Sequence, residues 1–207
     1  RGVLTFRAAV NESMAMSERD KKLMLQVRGG DMAAFEELYA RYSRPLLNFF
    51  YRLTWDRAFS EDLMQEAFLR LWKGAKNYKP TGKFTTYLFQ IAKNHWLNER
   101  DKKMRRIAPV SLEAGGAEES NGLREVVPAA ERGPMGEVLN HELSVAIAKA
   151  VEGLSEKLRL VFVLGQLKGF RYADIADILE IPVGTVKSRM SNAEKAIRGR
   201  MSAYLAR

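Results

Sequence analysis

Between Val183 and Arg200, the side chains of Thr185, Lys187, Ser188, Ser191, Asn192 and Lys195 recur at the spacing of one outward helical face. Hydroxyls, an amide and ammonium groups in that pattern can hydrogen-bond base edges and phosphates in a major groove. This is recognition chemistry, and no reaction chemistry accompanies it. "KPTGKFT" contains Gly-Lys, but Asn77 replaces the first glycine of a phosphate-binding loop and Phe84 replaces its Ser/Thr. "HELSV" places Val145 where a second metal-binding histidine would stand. His95 and Glu99 lie one helical turn apart, a spacing read as surface pairing rather than a catalytic dyad. No acid, base and nucleophile converge, so the chain is not expected to be an enzyme.

The elements carrying that face sit in a strongly basic chain. Its 207 residues have a net charge of +9, which points to a polyanionic partner. There is no cysteine, so disulfides and thiolate sites are excluded and a reducing cytoplasm fits. With only His95 and His141, a histidine-rich metal centre is not expected either. No apolar run approaches the roughly 20 residues of a membrane span, so direct membrane insertion is not expected.

Charge divides the chain. Thr81 to Arg106 holds seven basic residues against Glu99 and Asp101. Ile107 to Glu137 holds six glutamates against Arg124 and Arg132, with three prolines and Gly115-Gly116. Val183 to Arg200 holds five basic residues against Glu194. The middle segment lacks periodicity and reads as a flexible acidic linker. The expected organisation is a disordered or extraneous tail over 1–16, a helical domain over 17–106, a linker over 107–136 and a second helical domain over 137–207.

No period-two pattern persists, so the fold class is all-α. Asp31 is placed as the N-cap of "GDMAAFEELYARY", with a break or bend near Pro45. Ser60 is placed as the cap of "SEDLMQEAFLRLW", whose polar face carries Asp62, Gln65, Glu66 and Arg70. A long helix runs from Phe84 into "RDKKMRR", with Phe84, Tyr87, Leu88 and Ile91 on its inner stripe and Trp96 off it. The second domain starts near Glu137 with Val138, Leu139, Leu143, Ala146, Ile147, Ala150 and Val151 on one stripe, followed by a helix capped by Ser155.

"YADIADILEIPVGTVKSRMSNAEKAIRGR" reads as a helix-turn-helix. Tyr172, Ile175, Ala176 and Leu179 form the inner face of its first helix. Val183, Val186, Met190, Ala193 and Ile197 form that of the second. Pro182 opens the second helix, and Glu180 fills a turn position often occupied by glycine.

The wider string "LSEKLRLVFVLGQLKGFRYADIADILEIPVGTVKSRMSNAEKAIR" resembles the C-terminal domain of the extracytoplasmic-function (ECF) sigma factors, a branch of the bacterial sigma-70 family. "GDMAAFEELYARY", "SEDLMQEAFLRLW" and "FTTYLFQIAKNHWLNERDKKMRR" resemble that family's N-terminal domain, in the right order. The resemblance implies a dissociable subunit, without cofactor or metal, that brings core RNA polymerase to a promoter and helps open it. Asp62, Gln65 and Glu66 would then meet the clamp helices of the polymerase's largest subunit. On the helix from Phe84, Asn94 and Asn98 would line the pocket for an extruded base of the minus-ten element. Lys93, Arg100, Lys102, Lys103, Arg105 and Arg106 would hold phosphates, and Trp96 is the aromatic candidate for contact with DNA or polymerase.

For the minus-thirty-five element the resemblance implies Thr185, Lys187, Ser188, Arg189, Ser191, Asn192 and Lys195. Relatives often carry an aromatic-Arg or Arg-rich pair where this chain has Ser191-Asn192; since arginine suits guanine and asparagine adenine, a shifted or weaker sequence preference is expected there. The acidic linker would thread the polymerase near its active-site cleft. A bacterial cytoplasmic location follows, and many family members are held, often at the membrane, by an anti-sigma factor. The rival reading is a stand-alone helix-turn-helix regulator that binds duplex DNA without polymerase.

Overall fold

The computed structural model describes residues 17–107, 145–167 and 170–205, without the side chains of 106–107 and 203–205. The expected tail, nearly all of the linker and the start of the second domain at 137–144 lie outside the described residues. Those described form helices joined by short turns, with no strand among them. In the N-terminal lobe these are α1 (17–28), α2 (Met32–Thr54), α3 (Arg57–Gly74), a 3-10 turn (Ala75–Asn77) and α4 (Phe84–Ile107). The C-terminal lobe has α5 (145–152), α6 (Glu156–Gly165), α7 (Tyr172–Leu179) and α8 (Val183–Leu205). No described helix is long and apolar enough to cross a membrane.

The break between α1 and α2 is chemical. Gly30 takes φ 94, a left-handed conformation open to glycine, and Asp31 then caps α2 by accepting from Ala34 N at 3.1 Å. Asp31→Ala should cost about 1 kcal/mol, read as a melting temperature roughly 4–8 °C lower in a lobe of this size. A thermal scan with no shift would remove the cap from the account. α1 is tied to α2 by Asp20, which is 1% exposed and accepts from Tyr42 and Arg41. Burial pushes the Asp20 carboxyl up, while those two donors pull it down.

Two boundaries depart from expectation. α2 runs unbroken through Pro45. A proline inside a helix loses one hydrogen bond, but burial of Tyr42, Leu46, Phe49 and Phe50 on either side holds the helix together. α3 begins at Arg57, with Asp56 as its N-cap accepting from Phe59 N at 3.0 Å. Ser60 lies inside α3, fully buried, its hydroxyl turned to Asp56 O and, at 2.7 Å, to Thr54 Oγ1.

The core of the N-terminal lobe is aromatic. Phe49, Phe50, Phe84 and Leu88 are fully buried, and Phe49 meets Phe89 edge-on at 5.4 Å. In the C-terminal lobe α7 buries Ile175, Ala176 and Ile178, whereas Tyr172 is exposed, so the inner face is rotated from the expected one. α8 buries Val186, Met190 and Ala193, and Val183 in its first turn stands 40% exposed rather than inward. On α5, Ala148, Ala150 and Val151 are buried and Ile147 is exposed. Ser155 precedes α6 but makes no side-chain cap bond. Gly165 of α6 faces Met190 of α8, whose terminal methyl occupies the space a Cβ there would take.

The two lobes touch. α4 packs on α7 and α2 on α6. Arg159 of α6 donates to Leu53 O at 3.4 Å, a cation at the C-terminal end of α2.

Candidate polymerase and nucleic-acid interfaces

α3 buries Leu63, Met64, Ala67, Phe68 and Leu71, which leaves its other side to solvent. Asp62 and Gln65 are exposed there, and Glu66 is half-buried against Arg70, whose Nε donates at 3.0 Å. The three predicted residues therefore share one face. The structure adds Leu69, 50% exposed and two helical turns after Asp62. Its signal was present in the spacing: an apolar residue three beyond Glu66 on a polar face.

α4 presents three stripes. Phe84, Leu88, Ala92 and His95 are buried in the N-terminal lobe. Asn94, Asn98, Lys102 and Arg105 are exposed, and so is Lys103. Phe89, Lys93, Trp96 and Arg100 form the third, at intervals of four, three and four residues. Lys93 and Trp96, expected to meet phosphates and DNA or polymerase, are 6% and 5% exposed where the two lobes meet. Lys93 is covered because Glu180 of the C-terminal lobe pairs with it at 2.9 Å. Trp96 lies under the Arg100 guanidinium, 5.5 Å from the ring centroid, and Arg100 also pairs with Glu156. Of Arg106 only the backbone is described.

His95 is not a surface group either. It is 4% exposed, and burial holds its pKa below the ordinary value, with the Arg70 charge acting in the same direction. Its Nδ1 has no hydrogen-bond partner. Glu99 bonds Lys102 at 2.7 Å, which lowers its pKa. Among the described residues no group of His, Asp and Glu is placed to hold a metal ion.

On α8, burial of Val186, Met190 and Ala193 turns Lys187, Ser188, Ser191, Asn192 and Lys195 outward, while Thr185 and Arg189 are half-buried. Ser188 Oγ donates to Thr185 O at 3.1 Å. The result is a polar and basic row on the second helix of a helix-turn-helix, the element that enters a major groove in such motifs. Val183 and Gly184 at its start are exposed as well.

Comparison with known proteins identifies both lobes. Residues 38–106 match the model of sigma-70 region 2. Residues 144–197 match that of sigma-70 region 4. The RNA polymerase sigma-H factor of Pseudomonas aeruginosa is 30% identical over 187 residues, 89% of this chain and 94% of that one. The ECF RNA polymerase sigma-E factor of Escherichia coli K12 is 32% identical over 197 residues, 93% of this chain and 100% of that one. In fold, the chain is similar to CnrH in its complex with the cytosolic domain of CnrY (TM-score 0.64, 22% identity, 89% of this chain and 98% of that one). It is also similar to RpoE of Bartonella quintana in complex with the anti-sigma factor NepR (TM-score 0.61, 23% identity, 81% of this chain and 96% of that one). With both regions matched in order and relatives aligned along nearly their whole length, the chain belongs to the ECF branch of the sigma-70 family of RNA polymerase sigma factors.

Proposed function

We propose that this sigma factor divides its work among three surfaces. As a member of its family it binds core RNA polymerase, directs it to promoters and assists their opening, a role in transcription initiation. Asp62, Gln65 and Glu66, joined by Leu69, dock on the clamp helices of the polymerase's largest subunit. Asn94 and Asn98 hold an unstacked minus-ten base, and Lys93, Arg100, Lys102, Lys103, Arg105 and Arg106 hold its backbone. The row from Thr185 to Lys195 reads the minus-thirty-five element, with Asn192 favouring adenine.

The observation that carries this reading is the placement of an exposed carboxylate-bearing face on α3 and an exposed basic row on α8 in one chain. A duplex-binding regulator needs only the second. The work is binding, not catalysis, and belongs in the bacterial cytoplasm, where an anti-sigma partner of the kind seen with RpoE would compete with polymerase.

Run-off transcription from fragmented genomic DNA, with purified core polymerase, tests the reading. Wild type should yield new transcripts, and the variant Asp62→Ala, Gln65→Ala, Glu66→Ala should lose them by more than about tenfold, as for removal of a binding hot spot. Defined duplex binding by the protein alone, with no polymerase-dependent transcript, would hand the function to the regulator.

A further inference from the structure

One titratable side chain lies inside the N-terminal lobe, behind the exposed face of α3, without a partner. His95 continues the buried stripe of Phe84, Leu88 and Ala92 on α4, the helix that packs against α3. Its Nδ1 is buried and meets no hydrogen-bond partner among the described residues. The charges that act on the ring come from both helices: Glu66 and Arg70 of α3, and Glu99 and Lys102 of α4 itself. Glu99 is already held by Lys102 at 2.7 Å. Glu66 and Arg70 are the ion pair of the docking face, 3.0 Å apart and with side chains 38% and 39% exposed. We propose that His95 is a positioning residue of that face: its neutral ring leaves Glu66 to Arg70, and its imidazolium draws Glu66 away and weakens docking in mild acid.

Packing alone does not account for a histidine here. Leucine or phenylalanine would continue the stripe without orphaning a buried nitrogen, which costs free energy wherever it occurs. What imidazole adds is a change of charge close to neutral pH. Burial first, and then the Arg70 charge, hold its pKa below the ordinary value, against a smaller upward pull from Glu99 and Glu66. The neutral ring is therefore the native one. The stability it contributes is present above the ordinary histidine range and is lost as the pH falls through the lowered value.

Protonation sets a second cation beside Arg70, and both then draw on Glu66. Docking covers the pair further, which raises the cost of the extra buried charge. By linkage, polymerase and the proton oppose each other's binding. The inference rests on α3 being the docking face.

The chain has two histidines, so His141→Asn leaves one imidazole to follow by nuclear magnetic resonance. In that background the ring should titrate below the ordinary range. Its titration should move upward in Arg70→Gln, which removes a cation, and downward in Glu66→Gln, which removes an anion. Affinity for labelled core polymerase should fall about fivefold or more between roughly pH 7.5 and 5.5, the lower end of typical coupling between sites. Carboxylates and the polymerase titrate over the same interval, so the readout is the difference from His95→Gln, whose amide carries no titrating charge. That variant should lose less than about half as much affinity on the same acidification.

Parallel affinity profiles for wild type and His95→Gln overturn the proposal, as does a ring whose titration ignores both Arg70→Gln and Glu66→Gln. A purely structural His95 would give that first result together with a lower urea midpoint in His95→Gln at both pH values. If His95→Gln does not fold, Arg70→Gln decides: the drop in affinity should move to higher pH with the ring, and an unmoved drop overturns the coupling. Failure of the docking reading is separate. It appears as wild-type polymerase affinity in the variant Asp62→Ala, Gln65→Ala, Glu66→Ala, whatever the ring titration shows.

Discussion

Replacing Leu69 by aspartate should weaken binding of this sigma factor to core polymerase by roughly 30-fold, the scale of a lost hot spot, with the fold intact. A single solvated leucine is ordinary on a protein surface, but this one is not isolated. It borders Gln65 and Glu66 on α3. Three residues on, Trp72 packs against Phe35 of α2 at 5.1 Å, and Tyr39 of α2 packs on Phe68 at 4.7 Å. Met32 and Tyr39 are themselves 54% and 38% exposed. Leu69 and Trp72, three residues apart on α3, thus form an apolar ledge beside Gln65 and Glu66, the anatomy of an interface core and rim.

Aspartate at 69 would carry a charge into that ledge and leave it without a partner on docking. Because Leu69 is exposed, folding stability should change by no more than about 0.5 kcal/mol. Titration of labelled polymerase with the variant measures the first quantity, and urea unfolding measures the second. An unchanged dissociation constant would confine the docking face to the three polar residues. Lost affinity together with lost stability would mean that Leu69 is structural.

The surfaces that were legible in the sequence are those coded within a single helix. Asp62, Gln65 and Glu66 follow from a three-and-four spacing, and the α8 row follows from the burial of Val186, Met190 and Ala193. What escaped was coded between helices. Lys83 and Asp174 stand 91 residues apart, and Lys93 and Glu180 stand 87 apart. No local pattern pairs such residues, so Lys93 and Trp96 read as open cations and rings. Helix boundaries failed for a different reason. Asp56 and Ser60 are both good caps, and the choice falls to Asp56 because its carboxylate reaches Phe59 N while Ser60 is needed inside. At Pro45 the local rule for helix breaking lost to burial on both sides. Glu180 was visible as an unusual residue at a glycine-like position, but its reason became visible only with Lys93 beside it.

Phe49→Ala should be the most damaging single change to the fold, at about 3–5 kcal/mol, the range for truncating a buried phenylalanine. Phe49 is fully buried, lies against Phe50 at 5.3 Å and supports Phe89 from α2. Removing its ring leaves a void that close-packed neighbours cannot fill without moving. Phe89 loses a packing partner in this void, and it is also the residue that meets Phe170 across the joint. The cavity should therefore loosen both the N-terminal core and the lobe contact. Against a total of about 5–15 kcal/mol for an ordinary domain, much of the stability is lost. Urea unfolding should show a lower midpoint at unchanged slope, and Phe49→Leu, which keeps most of the volume, should recover the greater part. A loss below about 1 kcal/mol in Phe49→Ala, far under the range for a buried ring, would mean that the aromatic cluster collapses around the gap and does not hold α4 in register.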